Sequence, residues 1–501
     1  MTPPFPPEPN TSESGDLPSH PPGLDLDPEA MRALGYQAVD ALVERWAGLR
    51  DDVPWRGAPY QDLRDRFGGE GPAPEEGEGA AAVLEEAIRD VLPLAARVDH
   101  PRFLAFIPSA PTWPSVLGDF LASGFNVFQG TWLGSAGPSR VELMVLEWFR
   151  QWLGMPSGAG GLLTSGGSAA NLVAVAVARE AAGNPSRPVV YLSDQGHSSL
   201  LRACRIAGIP REGIRILPTG PDLRLDPSRV RTAVERDRAE GAVPILVCAN
   251  GGTTNTGSVD PLAALASLTR ELGLRLHVDG AFGGFGVLCE KGARALDGIG
   301  QADSVTLDPH KWLFQTFECG CLLVRDPGEL DRAFRVTPEY LQDTQLGAEQ
   351  VNFGDRGVQL SRSFRALKIW MSVRSFGLNA FRTAVAHGID RAEEVEARVR
   401  ASRELELLSP ASLGIVTYRF RPRGWEDEGP LEALNRGIQG RLREEGTAMT
   451  SSTRLNNRFA LRVCVLNPHT TRKDLDDLLD RVERLGRDLA EAYRTPGERP
   501  R

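Results

Sequence analysis

Between about residues 110 and 385 the chain alternates short apolar runs with longer amphipathic ones, and nothing else in it constrains the fold as strongly. Runs 189–193, 214–217, 244–249, 275–279, 303–307 and 319–324 have the length and composition of strands. Helical stretches such as 168–182 and 261–272 separate several of them. Strands spaced by helices predict a parallel or mixed sheet covered on both faces, an α/β architecture. Function in such a sheet gathers at the carboxyl ends of the strands. Here those ends are polar or Gly-rich.

The flanks differ. A chain of 501 residues exceeds one ordinary core, so more than one domain is expected. Residues 1–28 are Pro-rich and acidic with little to bury, which predicts a disordered leader. From Pro28 onward Met31, Leu34, Val39, Leu42 and Trp46 share one helical face, and run 83–94 is amphipathic too. Residues 29–110 are therefore expected to form an N-terminal helical arm, and residues 111–385 the large domain. Beyond residue 386 the strand-like runs 413–420 and 458–466 flank a helix at 431–443. A last helix, capped by Thr470 or Thr471, carries Leu475, Leu478, Leu479, Val482, Leu485 and Leu489. That predicts a smaller α+β domain over 386–494.

Composition removes several classes. Lys and Arg number 57 against 66 Asp and Glu, and the net charge of −9 argues against a nucleic-acid binder. No apolar run approaches the ~18 residues of a membrane span, and no Lys or Arg precedes Arg32 to begin a secretory signal. Six cysteines without a CxxC pair form no disulfide framework. A cytoplasmic protein away from membranes is expected, with Cys319 and Cys321 as small buried hydrophobes. There is no Gly-Lys dipeptide, no G-x-G-x-x-G after a strand, no H-E-x-x-H and no G-x-S-x-G. No metal site is expected.

Five features at strand ends remain. Ser165-Gly166-Gly167-Ser168 enters an apolar helix, where unpaired backbone N–H groups suit a phosphate; ordinary capping by Ser165 or Ser168 is the alternative. His277-Val278-Asp279-Gly280-Ala281 ends a strand on a carboxylate able to hold a cationic partner, with Ala281 leaving room for a flat ring. Ser193-Asp194-Gln195-Gly196-His197 offers an imidazole, and Gly251–Gly257 is a hydroxyl-rich turn containing Thr254. Asp308-Pro309-His310-Lys311-Trp312 carries one of only four lysines. Where arginine serves nearly every cationic position, a retained lysine points to amine chemistry. Lys291 reads as a turn residue, Lys368 as the outward face of a helix, and Lys473 as a helix first turn. A phosphate cradle, a ring-facing His and Ala, a carboxylate for a pyridinium nitrogen and an amine are together what pyridoxal phosphate requires.

The chain resembles the pyridoxal-phosphate-dependent group II amino-acid decarboxylases over roughly residues 26–490. The resemblance rests on His-Pro-x-Phe at 100–103, Ser-Asp-Gln-x-His-Ser-Ser at 193–199, His-Val-Asp at 277–279 and Pro-His-Lys-Trp at 309–312. It implies the type I fold of aspartate aminotransferase, with a mixed seven-stranded sheet in the large domain, and a homodimer with active sites at the interface. It further implies that Lys311 bonds the cofactor, Asp279 pairs with the pyridine nitrogen, and His197 and Ala281 flank the ring. Ser165, Gly166, Gly167, Ser168, Thr254, Asp308 and His310 fall where the family contacts the cofactor. Phe106, Pro108 and Ser109 fall on the segment lining the substrate pocket. The segment 338–341 resembles the mobile catalytic loop, in which Tyr340 would supply a proton.

The expected activity is decarboxylation of an L-amino acid, foremost an aromatic one, to its amine and CO2. Aromatic-acid members often carry Trp before the His-Pro motif and Tyr at position 106, where this chain has Val98-Asp99 and Phe106. An acidic or aliphatic substrate therefore stays open, as do an aldehyde synthase or transaminase-like outcome and an inactive scaffold.

Overall fold

The computed structural model of the protein describes residues 24–68, 71–108, 110–336, 339, 343, 347 and 349–494. The described residues fall into two compact units, one of Met1–Asp51 with Ala58–Ala95 and one of Asp52–Gly57 with Ala96–Arg501.

The first unit is helical. Its longest helix, Pro28–Gly48, starts where Asp27 accepts hydrogen bonds from the backbone N–H groups of Glu29 and Ala30, with Pro28 in the first turn. Helices Tyr60–Phe67 and Ala80–Glu86 follow, and an Arg66–Asp90 ion pair lies within the unit. None of these helices buries a residue, and Met31, Tyr36 and Tyr60 are exposed.

The second unit contains two sheets. The larger is built from β1 (Gly160–Thr164), β2 (Pro188–Ser193), β3 (Ile214–Leu217), β4 (Val243–Asn250), β5 (Arg275–Asp279), β6 (Ser304–Leu307) and β7 (Gly320–Val324). Their order is β1-β7-β6-β5-β4-β2-β3, and β7 runs antiparallel to both neighbours while the other pairs are parallel. Six strands therefore present their carboxyl ends along one edge. The central strands are buried along nearly their whole length because helices cover both faces. The smaller sheet holds β8 (Leu405–Ser412), β9 (Ile415–Phe420), β10 (Ser451–Leu455) and β11 (Arg458–Cys464), all antiparallel, in the order β10-β11-β9-β8. Helix Arg472–Arg494 packs its leucine stripe beside this sheet, and Thr471 with Asp474 closes its N-terminus.

Three strands escape the sequence reading. β1 is short and begins with two glycines, and a Cβ on Gly161 would lie 1.8 Å from the Leu322 carbonyl oxygen, so close pairing with β7 selects those residues. β8 and β10 are partly exposed and lack a clear apolar alternation.

The outward placement of Lys368 is also overturned. Its side chain is 2% exposed, and Nζ donates to Asp119 Oδ2 and to the carbonyls of Thr316 and Glu318. Helix Ala366–Phe376 lies so close to helix Trp113–Gly124 that a Cβ on Gly118 would sit 2.6 Å from Lys368 Cα. The stem is buried by that contact, and the ammonium is satisfied by oxygen acceptors.

Candidate active site

The carboxyl ends of β1, β2, β4, β5 and β6 surround a cavity of about 360 Å³. Ser165, Gly166, Gly167 and Ser168 line it after β1, and His197 after β2. Thr254 stands beyond β4, Asp279 and Ala281 at the end of β5, and Asp308, His310 and Lys311 beyond β6. All eleven residues proposed from the sequence as cofactor contacts thus share one cavity.

Helix Gly167–Ala181 starts at the cavity with Gly166 as its cap, and no side chain caps it. The capping alternative for Ser165 and Ser168 fails, so the positive end of the helix dipole faces the cavity. The glycines are required by close approach: a Cβ on Gly167 would stand 2.9 Å from Ala281 Cβ, and one on Gly320 of β7 would stand 2.4 Å from Gly166 Cα.

Lys311 Nζ lies 2.9 Å from Asp308 Oδ2, and the neighbouring Trp312 is fully buried against Phe282, with ring centroids 5.2 Å apart. That anchor holds the lysine backbone while its side chain remains partly accessible. Asp308 Oδ1 is buried without a hydrogen-bond partner among the described residues, a free acceptor at the wall. His310 Nδ1 accepts from the Cys319 N–H, leaving Nε2 3.6 Å from Asp308 Oδ2. Burial pushes the His310 imidazole down; Asp308 opposes this and Lys311 reinforces it.

Asp279 is 6% exposed; Oδ1 accepts from the Ala281 N–H at 3.1 Å and Oδ2 from Asn171 Nδ2 at 2.9 Å. His277, two residues earlier on the same face of β5, is fully buried, and that burial pushes it down to about 4 despite the nearby Asp279 carboxylate. His197 is exposed at the cavity, and its Nδ1 faces Ser199 Oγ at 2.7 Å.

Several wall residues were missed: Asn171, Ser199, Asn250, Gly252 and Thr253. Asn171 stands four residues after Gly167, hence on the same helical face, and Ser199 belongs to the motif that supplied His197; both spacings were readable. Phe106 and Pro108 are not among the residues lining this cavity. Phe106 is 63% exposed with φ 50°, and its carbonyl accepts from Arg462 Nη1 at 2.6 Å. Tyr340 and Ser109 lie outside the described residues. His100, from the His-Pro motif, is buried away from the cavity, accepting from the Arg102 N–H on Nδ1 and facing the Asp52 carbonyl with Nε2. No helix of the described residues is long and apolar enough to cross a membrane.

The pyridoxal-dependent decarboxylase conserved domain matches residues 66–421. The chain belongs to that family. It is 40% identical over 473 residues to the aromatic-L-amino-acid decarboxylase of Bacillus atrophaeus, covering 94% of this chain and 98% of that one. The phenylacetaldehyde synthase of Petunia hybrida is 29% identical over 472 residues, covering 90% and 93%. The crystal structure of Oryza sativa TDC with PLP and tryptamine superposes with a TM-score of 0.87 at 29% identity, covering 94% of this chain and all of that one. The fold is the type I fold of such enzymes, the cofactor is pyridoxal phosphate, and the reaction class is amino-acid decarboxylation. The wall fits that cofactor: an uncapped helix N-terminus over glycines for an anion, a buried carboxylate at the end of a central strand, and a lysine amine in the same cavity.

Proposed function

We propose that this enzyme converts aromatic L-amino acids to their arylalkylamines and CO2, with Lys311, Asp279 and His197 as its central residues. The convergence of those three side chains on one strand-end cavity carries the reading. The aromatic preference is supported by the name of the Bacillus relative and by the tryptamine bound to the rice enzyme.

Pyridoxal phosphate, once bound, supplies an aldehyde for the substrate amine and an electron-accepting ring for the pair released with CO2. Lys311 would carry it and yield to the substrate, with Asp308 holding Nζ at the wall. Asp279 would face the pyridine nitrogen and keep a proton there. His197 and Ala281 would flank the ring. Ser165, Gly166, Gly167, Ser168 and the helix dipole would bind the phosphate, aided by Thr254 and His310. Phe106, Pro108 and Ser109 would face the substrate side chain. One proton must replace the lost carboxylate on the α-carbon, and Tyr340 would deliver it.

We also propose a homodimer with interface active sites. Support comes from the family resemblance and from apolar side chains such as Phe120 and Phe125, which are 64% and 80% exposed. A cytoplasmic location is supported by six free cysteines, five of them buried. The proposed organisation is leader 1–28, arm 29–110, large domain 111–385 and small domain 386–494; the separate sheets at 160–324 and 405–464 support its last division.

An aldehyde-forming outcome is the second reading, favoured by the Petunia relative's name. Assaying amine, aldehyde, ammonia and peroxide across the twenty amino acids, dihydroxyphenylalanine and 5-hydroxytryptophan tests both. Amine from aromatic substrates is the expected product. Faster turnover of glutamate or an aliphatic acid would overturn the substrate class, and stoichiometric aldehyde would favour the second reading.

A further inference from the structure

Asn171 is 1% exposed, lies one turn into helix Gly167–Ala181 and reaches the cavity wall. Its carboxamide makes four hydrogen bonds. Nδ2 donates to Asp279 Oδ2 and to Ser199 Oγ, each at 2.9 Å. Oδ1 accepts from Thr306 Oγ1 at 2.7 Å and from His277 Nε2 at 3.0 Å.

The direction of every one follows from the carboxylate. Asp279 can only accept, so the amide must turn its NH2 group toward it. Oδ1 then faces His277, which donates from Nε2 while its Nδ1 accepts from Ser304 Oγ at 2.8 Å. The second amide N–H occupies a lone pair of Ser199, freeing that hydroxyl proton for His197 Nδ1 at 2.7 Å. The Ser199 backbone N–H points at the same nitrogen from 3.2 Å. With Nδ1 accepting twice, the His197 proton belongs on Nε2.

We infer that Asn171 is a positioning residue that orients the Asp279 carboxylate and, through Ser199, sets His197 as the Nε2–H tautomer. One amide thereby links the carboxylate at the base of the cavity to the imidazole at its mouth. The inference rests on the proposed roles of Asp279 and His197.

Asn171→Asp separates this role from simple space filling. It keeps the size and the oxygen facing His277 and Thr306, but offers Asp279 a second carboxylate in place of a donor. The Ser199 hydroxyl is then drawn toward the new acceptor and away from His197. Ser199→Ala removes the hydroxyl between Asn171 and His197 and keeps the backbone N–H on Nδ1 and the Asn171–Asp279 contact. The test measures pyridoxal phosphate affinity of each apoprotein by visible absorbance, and 15N-histidine NMR shifts, with His197→Gln assigning the signal. Asn171→Asp should weaken cofactor binding about 10- to 100-fold, the scale of one buried hydrogen bond to a charged group turned repulsive. Ser199→Ala should change it less than about 3-fold on the same scale, having left the Asp279 contact intact. In both variants the Nδ1 resonance of His197 should move off its wild-type position, because the backbone N–H at 3.2 Å is then the one donor left to Nδ1. Wild-type affinity in Asn171→Asp, or an unchanged His197 Nδ1 resonance in Ser199→Ala, overturns the inference. Should Asn171→Asp not fold, the Ser199→Ala spectrum still decides. Failure of the wild-type protein to bind the cofactor would instead retire the proposed site roles.

Discussion

Replacing Arg362 by Met tests how the phosphate-facing turn is held. Arg362 and Glu142 are 1% and 0% exposed and pair at 2.6 Å between Nη2 and Oε1. The carboxylate also accepts from the Leu163 N–H at 2.8 Å and from Gln129 Nε2 at 2.8 Å, while Arg362 donates to the carbonyls of Leu163 and Gln129. Leu163 is the penultimate residue of β1, two positions before Ser165, so the pair clamps the strand that aims the turn. Arg362→Met leaves a buried carboxylate with only neutral donors, a change that costs about 3–5 kcal/mol when a buried pair loses one partner. Arg362→Met with Glu142→Leu removes both charges, and the loss should shrink to about 0–2 kcal/mol because no buried ion is stranded. Urea denaturation of the apoproteins, followed by tryptophan fluorescence, measures both. A single variant within 1 kcal/mol of wild type, or a double variant worse than the single, would refute the clamp; the 1 kcal/mol margin is about one ordinary neutral hydrogen bond.

Lys311→Ala should abolish the visible absorption of the reconstituted protein and its amine production while leaving the circular dichroism unchanged; colour retained in that variant would move the cofactor to another lysine. Tyr340→Phe keeps the ring and removes the hydroxyl, so amine formation should slow and aldehyde with peroxide should rise as a share of product. An unchanged product ratio and rate would end the proton-donor assignment. His277 supplies a pH prediction: its folded imidazole titrates at about 4, whereas the unfolded one titrates near 6.5. Between those values only the unfolded chain takes up the proton, so stability is complete above about pH 6.5 and falls by up to about 3 kcal/mol toward pH 4. His277→Gln should flatten that acid limb in urea melts at pH 4.5 and 7, and equal acid sensitivity in both proteins would contradict it.

The sequence by itself determined the class of fold and most of the cavity. Strand and helix periods reflect burial on two faces, so β2 to β7 were readable wherever the run was apolar, and function at their carboxyl ends follows from parallel topology. Lys311, Asp279 and His197 stood out because each follows such a run and because lysine is rare in this chain. Other features depend on contacts between residues far apart in the chain. β1 exists because its glycines let β7 approach, and Lys368 is buried because Asp119 and two carbonyls, some 50 to 250 positions away, meet its ammonium. Asn171 looks like one more polar residue in an apolar helix until the fold surrounds it with Asp279, Ser199, His277 and Thr306, 28 to 135 positions distant. Local pattern reports which face of an element is apolar; only the tertiary structure supplies the partners that satisfy a buried polar group, because those partners arrive from other strands.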